Sequence, residues 1–436
     1  MGTVERKTYL PAGWPVARAY LVVFALTLVE RLTVLAVAWW RRDFPSDGQD
    51  YVAMAQALRA GAHFTPYWPP GLPVYLAGLA PGGGHVAVRL AMLGLWALFC
   101  WGFYRLAKAL QVEGWAWIGL LLFGLSPVAV QMSLDPLTEM PVGSLLLVGL
   151  SAAVVCLGRA GVWDYVLMGG AFGLMALVRP SALPLALVVP LLCAVRSRRW
   201  VMNVGAAVLA LALVGGWMVE AHRMCGAWVI NTANGKNLWY GNNADTPNYR
   251  TWYFGSHHGS AEIERYPEFG AVTNRLSGLP AVEQNAAYQK LAVEYVESHP
   301  GRFVVRTANR VRCYFGFDTF TAIALRETAR RWFWPVLGVE ALIYCGLMGF
   351  AFFWIASAPK EFWRSWEVWV VACAVLFYGA PYWVSMSHPT YHFPVVAPIL
   401  LLGFVGWKWG RKSLAGWIAV GVFLAVQVEW VLHMAG

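Results

Sequence analysis

The chain has 436 residues, 59% hydrophobic and 13% charged, with a net charge of +10. Soluble domains carry about a quarter charged residues, so this composition excludes an ordinary water-soluble enzyme. The basic residues are scattered rather than gathered into a stripe, which argues against nucleic acid as a partner.

Repeated apolar runs of about twenty residues read as α-helices that satisfy their own backbone groups, as lipid requires. In chain order the pattern predicts spans over 17–40, 84–110, 114–132, 136–158, 162–179, 181–196, 200–222, 332–356, 364–386, 392–408 and 413–434. The expected class is an all-α polytopic membrane protein with about eleven transmembrane helices. Residues 1–16 are polar and the run after them is too long for a signal-peptide core, so the first span is expected to serve as its own insertion signal.

Alternating these spans from a cytoplasmic N-terminus puts Arg6, Lys7, Arg18, Arg105, Lys108, Arg159, Arg196, Arg198, Arg199, Lys360, Arg364, Lys408, Arg411 and Lys412 on the inner side. Short inner loops are expected to be basic in this way. Arg41 and Arg42 depart from the pattern at the outer end of the first span, where such a pair suits an anionic ligand. Three segments then face outward: 41–83, the turn at 133–135, and 225–330. The chain divides accordingly into an N-terminal membrane module (1–224), an extracytoplasmic domain (225–330) and C-terminal spans (331–436). The outer domain, with Asn/Gly/Asp-rich turns and an amphipathic helical pattern around 283–298, is expected to be small and of α/β type. Cys225 and Cys313 flank it, and a disulfide closing its base is one expectation in an oxidising compartment. The other cysteines fall in or beside apolar spans, as small buried side chains do.

Within the first outer loop, Pro45-Ser46-Asp47-Gly48 is turn chemistry. Tyr51, Met54, Ala55 and Leu58 then recur at helical spacing, with Gln49, Gln56 and Arg59 opposite, which predicts a short interfacial helix. Asp47 would sit at its start as a solvated turn residue, a helix cap or a reactive carboxylate, and Asp50 would serve equally as a cap. In the second outer turn, Asp135 precedes Pro136 in ordinary capping position. Glu139 lies a turn into an apolar span, where an ionisable group points to a partner or a function. Arg179, before Pro180, either reaches for headgroups or offers a bidentate fork to a phosphate. There is no P-loop, no dinucleotide-binding glycine pattern, no metal-type His/Cys spacing and no Gly-x-Ser-x-Gly elbow.

Four stretches together resemble the lipid-phosphate-sugar-dependent glycosyltransferases of the GT-C superfamily, near glycosyltransferase family 39. This group includes protein O-mannosyltransferases and lipid A aminoarabinose transferases. Asp47-Gly48-Gln49-Asp50-Tyr51, leading into the Pro69-Pro70-Gly71 turn, is similar to the family's Asp-Glu-x-x-Tyr element. Leu134-Asp135-Pro136-Leu137 is similar to a Leu-Asp-Pro-Met at the second outer turn. Arg179-Pro180 resembles the Arg-Pro closing a middle span. The run from Asn231 to Asn243 resembles a Thr-x-Gly-Gly-x-Asn-Leu-Trp-x-Gly-Asn-Asn stretch that opens the outer domain. The chain departs from relatives at Trp68-Pro69, where a basic residue is usual, and at Thr390-Tyr391-His392, where an Arg-Tyr pair is usual.

The resemblance implies a GT-C fold in a bacterial inner membrane, with the active site facing outward. It further implies transfer of a sugar from a polyprenyl-phosphate donor to a hydroxyl of an envelope glycan, lipid or protein. On that basis Asp47 is expected to be the catalytic base, with Asp135 orienting it or the acceptor. Arg179 is expected to hold the donor phosphate, with Arg41, Arg42, Arg59, Glu139 and His392 as further substrate-binding candidates. A divalent metal shared by Asp47 and Asp135 remains an open expectation. Two rival readings are a lipid-linked saccharide transporter, suggested by the mid-span pair Glu30-Arg31, and a non-catalytic envelope assembly subunit.

Overall fold

The computed structural model describes residues 15–39, 42–158, 160–248 and 266–435. Arg41, the orientation markers Arg6, Lys7 and Arg159, and the 249–265 stretch of the outer domain lie outside the described residues. The helices begin with α1 (Val16–Val34, extended by a π-helical turn at Leu35–Trp39), α2 (Ser46–Arg59), α3 (Gly71–Leu79), α4 (His85–Ala109), α5 (Glu113–Gly124) and α6 (Pro127–Met132). They continue with α7 (Glu139–Cys156), α8 (Val162–Val178), α9 (Leu185–Ser197) and α10 (Trp200–Cys225). The outer region holds α11 (Asn234–Gly241), α12 (Pro267–Ser277), α13 (Ala281–Ser298), α14 (Pro300–Tyr314) and α15 (Phe320–Thr328). The chain returns through α16 (Phe333–Ala356), α17 (Lys360–Trp363), α18 (Trp366–Val384), α19 (Phe393–Trp409) and α20 (Leu414–Ala435).

Among the described residues, nine helices are long and apolar enough to cross a membrane, so the chain is a multi-pass membrane protein. They are α1, α4, α7, α9, α10, α16, α18, α19 and α20, several of them counted with a flanking turn. Each stands where a span was expected. Two expected spans are modified: α8 is apolar but shorter, and the run over 114–132 breaks into α5 and α6 at Ser126-Pro127. The central pair, α7 and α19, is buried along almost its whole length, while α1, α10 and α20 keep most of their side chains on the outside. That division suits a bundle whose rim faces lipid.

The break between α5 and α6 explains the mid-span arginine. Pro127 has no N–H to give, and Ser126 Oγ caps the new helix by accepting from Ala129 N–H at 3.1 Å. In an unbroken helix the Gly124 carbonyl would pair with Val128 N–H. Here Arg31 Nη2 donates to that carbonyl at 3.0 Å, and Val128 N–H goes instead to Glu340 Oε2 at 3.1 Å. Arg31 also donates to Ser133 Oγ (2.7 Å), the Thr27 carbonyl (3.0 Å) and Glu30 Oε2 (3.2 Å), and its guanidinium lies 3.8 Å from the Trp96 ring centre. Arg31 therefore clamps a helix break, which gives the mid-span pair that suggested a transporter a structural task.

Among the described residues the outer region holds helices and no strand, where an α/β type was expected. The turn-rich sequence closes short helices rather than joining strands. The helix expected over 283–298 is α13. Trp239, Tyr240, Phe269, Leu276, Tyr288 and Ala292 form a core of their own there, rich in stacked aromatic pairs such as Trp239–Phe269 at 4.8 Å. This region is bolted to the bundle by the Gly241-Asn242-Asn243 end of α11. Gly241 approaches the Ser385 carbonyl so closely that no side chain fits between them. Asn242 Nδ2 donates to the carbonyl of Val384 at 2.9 Å. Arg310 from α14, fully buried, donates to the Gly241 carbonyl, to Asn242 Oδ1 and to the Val384 carbonyl. Burial and the neighbouring Arg306 push the Arg310 guanidinium down to about 9.

Cys225 and Cys313 are both free, so the expected disulfide is absent. Cys313 is buried against the main core and points at the Ser387 carbonyl, while Cys225 turns back on its own helix at Ala221.

Candidate active site

The segments expected outside meet at one end of the bundle. Thr232 N–H donates to the Pro66 carbonyl at 3.0 Å. A methyl group on Gly71 would lie 2.6 Å from Val178 Cγ2, so the Pro-Pro-Gly turn presses the first loop against the residue before Arg179. A methyl on Gly48 would meet Pro136 at 3.1 Å, which brings the start of α2 onto the second turn. Residues expected inside meet elsewhere: Arg105 pairs with Asp164 at 3.4 Å and Arg199 donates to the Ala160 carbonyl at 3.0 Å.

Asp47 stands exposed in the first turn of α2, one turn before the buried Tyr51 on the same side of the helix. Its side chain is open to solvent yet crowded by protein. Desolvation, with the nearby Glu139 and Asp50 carboxylates, pushes its carboxyl above the usual range, and only Arg179 and a hydrogen bond from Ser46 pull the other way. Arg179 is firmly placed. Nε donates to Thr138 Oγ1 at 2.6 Å, Nη1 to Tyr382 Oη at 3.1 Å and Nη2 to Glu139 Oε1. The Tyr391 ring lies 5.0 Å away. Tyr382 is held in turn by Ser181 Oγ at 2.9 Å. Tyr51, Tyr67 and Tyr391 lie near enough to Asp47 to sense its charge.

Asp47, Glu139 and Arg179 thus come together as one site. Glu139 is the ion-pair partner of Arg179 rather than a substrate ligand, which accounts for a carboxylate inside an apolar span. Asp135 is placed otherwise. It is fully buried, with Arg89 Nη2 at 3.3 Å from Oδ1 and Gln131 Nε2 at 3.2 Å from Oδ2. Burial raises its carboxyl above the usual range, while Arg42, Arg89 and Gln131 lower it. A carboxylate enclosed in this way touches no substrate. Arg89 and Gln131 each donate to one of the two Asp135 oxygens. Among the described residues, no group of three or more His, Cys, Asp and Glu could hold a metal.

The reserve residues are also placed elsewhere. Arg42 lies over the Trp39 ring at 4.4 Å, and its carbonyl accepts from Arg89 at 2.8 Å. Arg59 ends α2 and donates to the Ala77 carbonyl at 2.9 Å, about 18 Å along the helix from Asp47 at 1.5 Å per residue. His392 is buried, with Nδ1 2.6 Å from the Tyr314 carbonyl and its ring 4.7 Å from that of Tyr344, so it holds helices together. Asp50 lies in the second turn of α2, where no side chain caps the helix start, and accepts from Trp68 Nε1 at 3.1 Å, so neither it nor Asp47 is the expected cap. Sequence reasoning missed Arg89, Tyr382 and Tyr391. Arg89 was legible in principle as a lone charge in an apolar run, but the tyrosines carried no signal apart from their contacts.

A scan against protein-family models gives no match, and comparison with curated protein sequences gives none. Among solved structures, the chain is similar to the archaeal oligosaccharyltransferase AglB from Archaeoglobus fulgidus, in complex with an inhibitory peptide and a dolichol-phosphate. The identity is 14%, the TM-score 0.44, and the match covers 93% of this chain and 54% of that one. It is also similar to ArnT from Cupriavidus metallidurans in the apo state, at 16% identity and a TM-score of 0.38, over 90% of this chain and 78% of that one. The chain therefore spans about half the length of the archaeal enzyme it matches.

Proposed function

We propose that the chain is a GT-C-type glycosyltransferase that moves a sugar from a polyprenyl-phosphate donor to an acceptor hydroxyl at the outer membrane face. The observation that carries this reading is the setting of Asp47, an accessible carboxylate of raised basicity at the start of an interfacial helix, facing Arg179 and a cluster of tyrosines. The acceptor oxygen bonds to the anomeric carbon as the carbon–oxygen bond to the lipid phosphate breaks. The electron pair leaves with the phosphate, and the acceptor proton passes to Asp47. Arg179, whose guanidinium has five N–H groups, has donors left over for the developing phosphate charge. A membrane-embedded bundle suits a donor whose lipid tail stays in the bilayer. Envelope glycans, lipids or proteins are the acceptor class, and a bacterial inner membrane with an outward-facing site is the setting.

The test is mass spectrometry of envelope lipids and glycans from a strain lacking the chain, compared with strains complemented by the natural chain or by Asp47→Asn. A sugar-bearing species lost on deletion, restored by the natural chain and absent with Asp47→Asn is the expected result. No altered species on deletion would overturn the reading.

A further inference from the structure

Two carboxylates outside the transfer site face one cavity. Asp318 lies in the turn between α14 and α15, at the base of the outer region, and Glu340 lies in α16. They are 3% and 6% exposed. Both line a small space of about 20 Å³, room for a single water molecule.

Each commits one oxygen to the start of a helix. Glu340 Oε2 accepts from Val128 N–H at 3.1 Å, where the chain restarts after the α5–α6 break. Asp318 Oδ1 accepts from Phe320 N–H at 2.7 Å, at the first residue of α15. Asp318 Oδ2 is buried without a hydrogen bond, the Thr390 hydroxyl standing close but unbonded. Among the described residues, no lysine or arginine lines the cavity, whose polar groups besides the pair are Ser126, Tyr344 and His392. Ser126 Oγ caps α6, Tyr344 Oη donates to the Phe315 carbonyl at 3.1 Å, and His392 Nδ1 is turned to the Tyr314 carbonyl. Tyr344 and Cys345 sense Glu340, and Glu139 of α7 acts on Asp318. From α20 comes the neutral Gln427, which accepts from Phe317 N–H at 2.8 Å.

Two ionised carboxylates here would repel each other with no lysine or arginine to offset them, in surroundings that penalise even one unpaired charge. Burial, with Glu139 behind it, pushes the Asp318 carboxyl up to about 6. Interacting carboxyls of this kind take up and release protons as a unit. We propose that Asp318 and Glu340 act as one carboxyl pair that holds a proton between them at neutral pH and so helps seat the outer region on the bundle. Asp318 belongs to the outer region, while Glu340 ties α16 to the α5–α6 break, so the pair spans that joint. The sign of the pH dependence is fixed by the raised Asp318 carboxyl. Its ionisation penalises the fold: the penalty is absent below the unfolded value of about 3.9, grows as pH rises, and is complete above the folded value.

The test is infrared spectroscopy of the purified full chain in detergent, reading the carbonyl band of protonated carboxylic acids in difference spectra between the natural chain and a variant. At about pH 7.5, above the Asp318 value, the natural chain minus Glu340→Gln should show such a band, shifted in heavy water. No band there overturns the proposal, because both carboxyls would then be ionised and the proton would sit elsewhere, on His392 for example. Should Glu340→Gln fail to fold, Asp318→Asn is compared at about pH 5, where an ordinary carboxyl of about 3.9 is already mostly ionised. The natural chain should carry one more protonated carboxyl than this variant, and equal bands overturn the proposal. A second readout is the Tm in detergent from about pH 4 to about pH 8. The Tm of Asp318→Asn minus that of the natural chain should rise with pH across this range, and a difference that stays flat overturns the proposal. Neither readout depends on turnover, so the carboxyl pair stands or falls apart from the proposed function.

Discussion

Replacing Asp47 with asparagine keeps the shape of the side chain and removes the charge and the base. A general base contributes about 10²–10⁴-fold, so transfer should fall by that factor, equivalent to about 3–5.5 kcal/mol of barrier at 1.36 kcal/mol per tenfold. The structure fixes the sign of the stability change as well. Burial, Glu139 and Asp50 raise the carboxyl above its unfolded value, so the folded chain holds this proton more tightly than the unfolded chain does. Ionised Asp47 is a burden on the fold above its folded pKa, and the burden shrinks as pH falls through that value and is gone below the unfolded one. Asp47→Asn should therefore leave the Tm in detergent at neutral pH unchanged or higher. For the natural chain, the acid limb of the rate profile should lie above the ordinary carboxylate value of about 3.9. The rate is followed in membranes that supply their own donor and acceptor, with the sugar-bearing product quantified by mass spectrometry. Near-full activity of Asp47→Asn, or a variant inactive only because its Tm has dropped, would refute the assignment.

Other expectations follow from the same contacts. Arg31→Met should strand the Gly124 carbonyl and Ser133 and cost about 3–5 kcal/mol, as breaking a buried charged network does, read as a large fall in Tm. Asp135→Asn should leave Arg89 buried without its counter-charge and cost a similar ~3–5 kcal/mol; adding Arg89→Met should recover much of the lost Tm, and no recovery would show that the pair does not act as a unit. Arg59→Ala should keep transfer within about twofold, since surface changes away from a site are usually small; a hundredfold loss would return Arg59 to the site. Cys313→Ser should migrate identically to the natural chain on gels run with and without reductant.

The sequence by itself determined the class. Backbone groups in lipid must be paired within their own segment, so hydropathy alone located the spans, and the period of α2 was readable from Tyr51, Met54, Ala55 and Leu58. It also pointed to Asp47 and Arg179, because ionisable groups at the ends of apolar runs are few. Which of these share a site depended on packing. Asp135 and Asp47 look equivalent along the chain, and only the structure shows one enclosed by Arg89 and Gln131 and the other open. Glu139 and Arg31 both read as functional charges, yet one neutralises Arg179 and the other mends a helix break through contacts 40 and 93 residues away in sequence. The described outer residues form helices where an α/β type was expected, because turn residues mark where chain segments end and not what they are. Long-range partners decide whether a buried charge is a tool or a strut, and no local pattern carries that information.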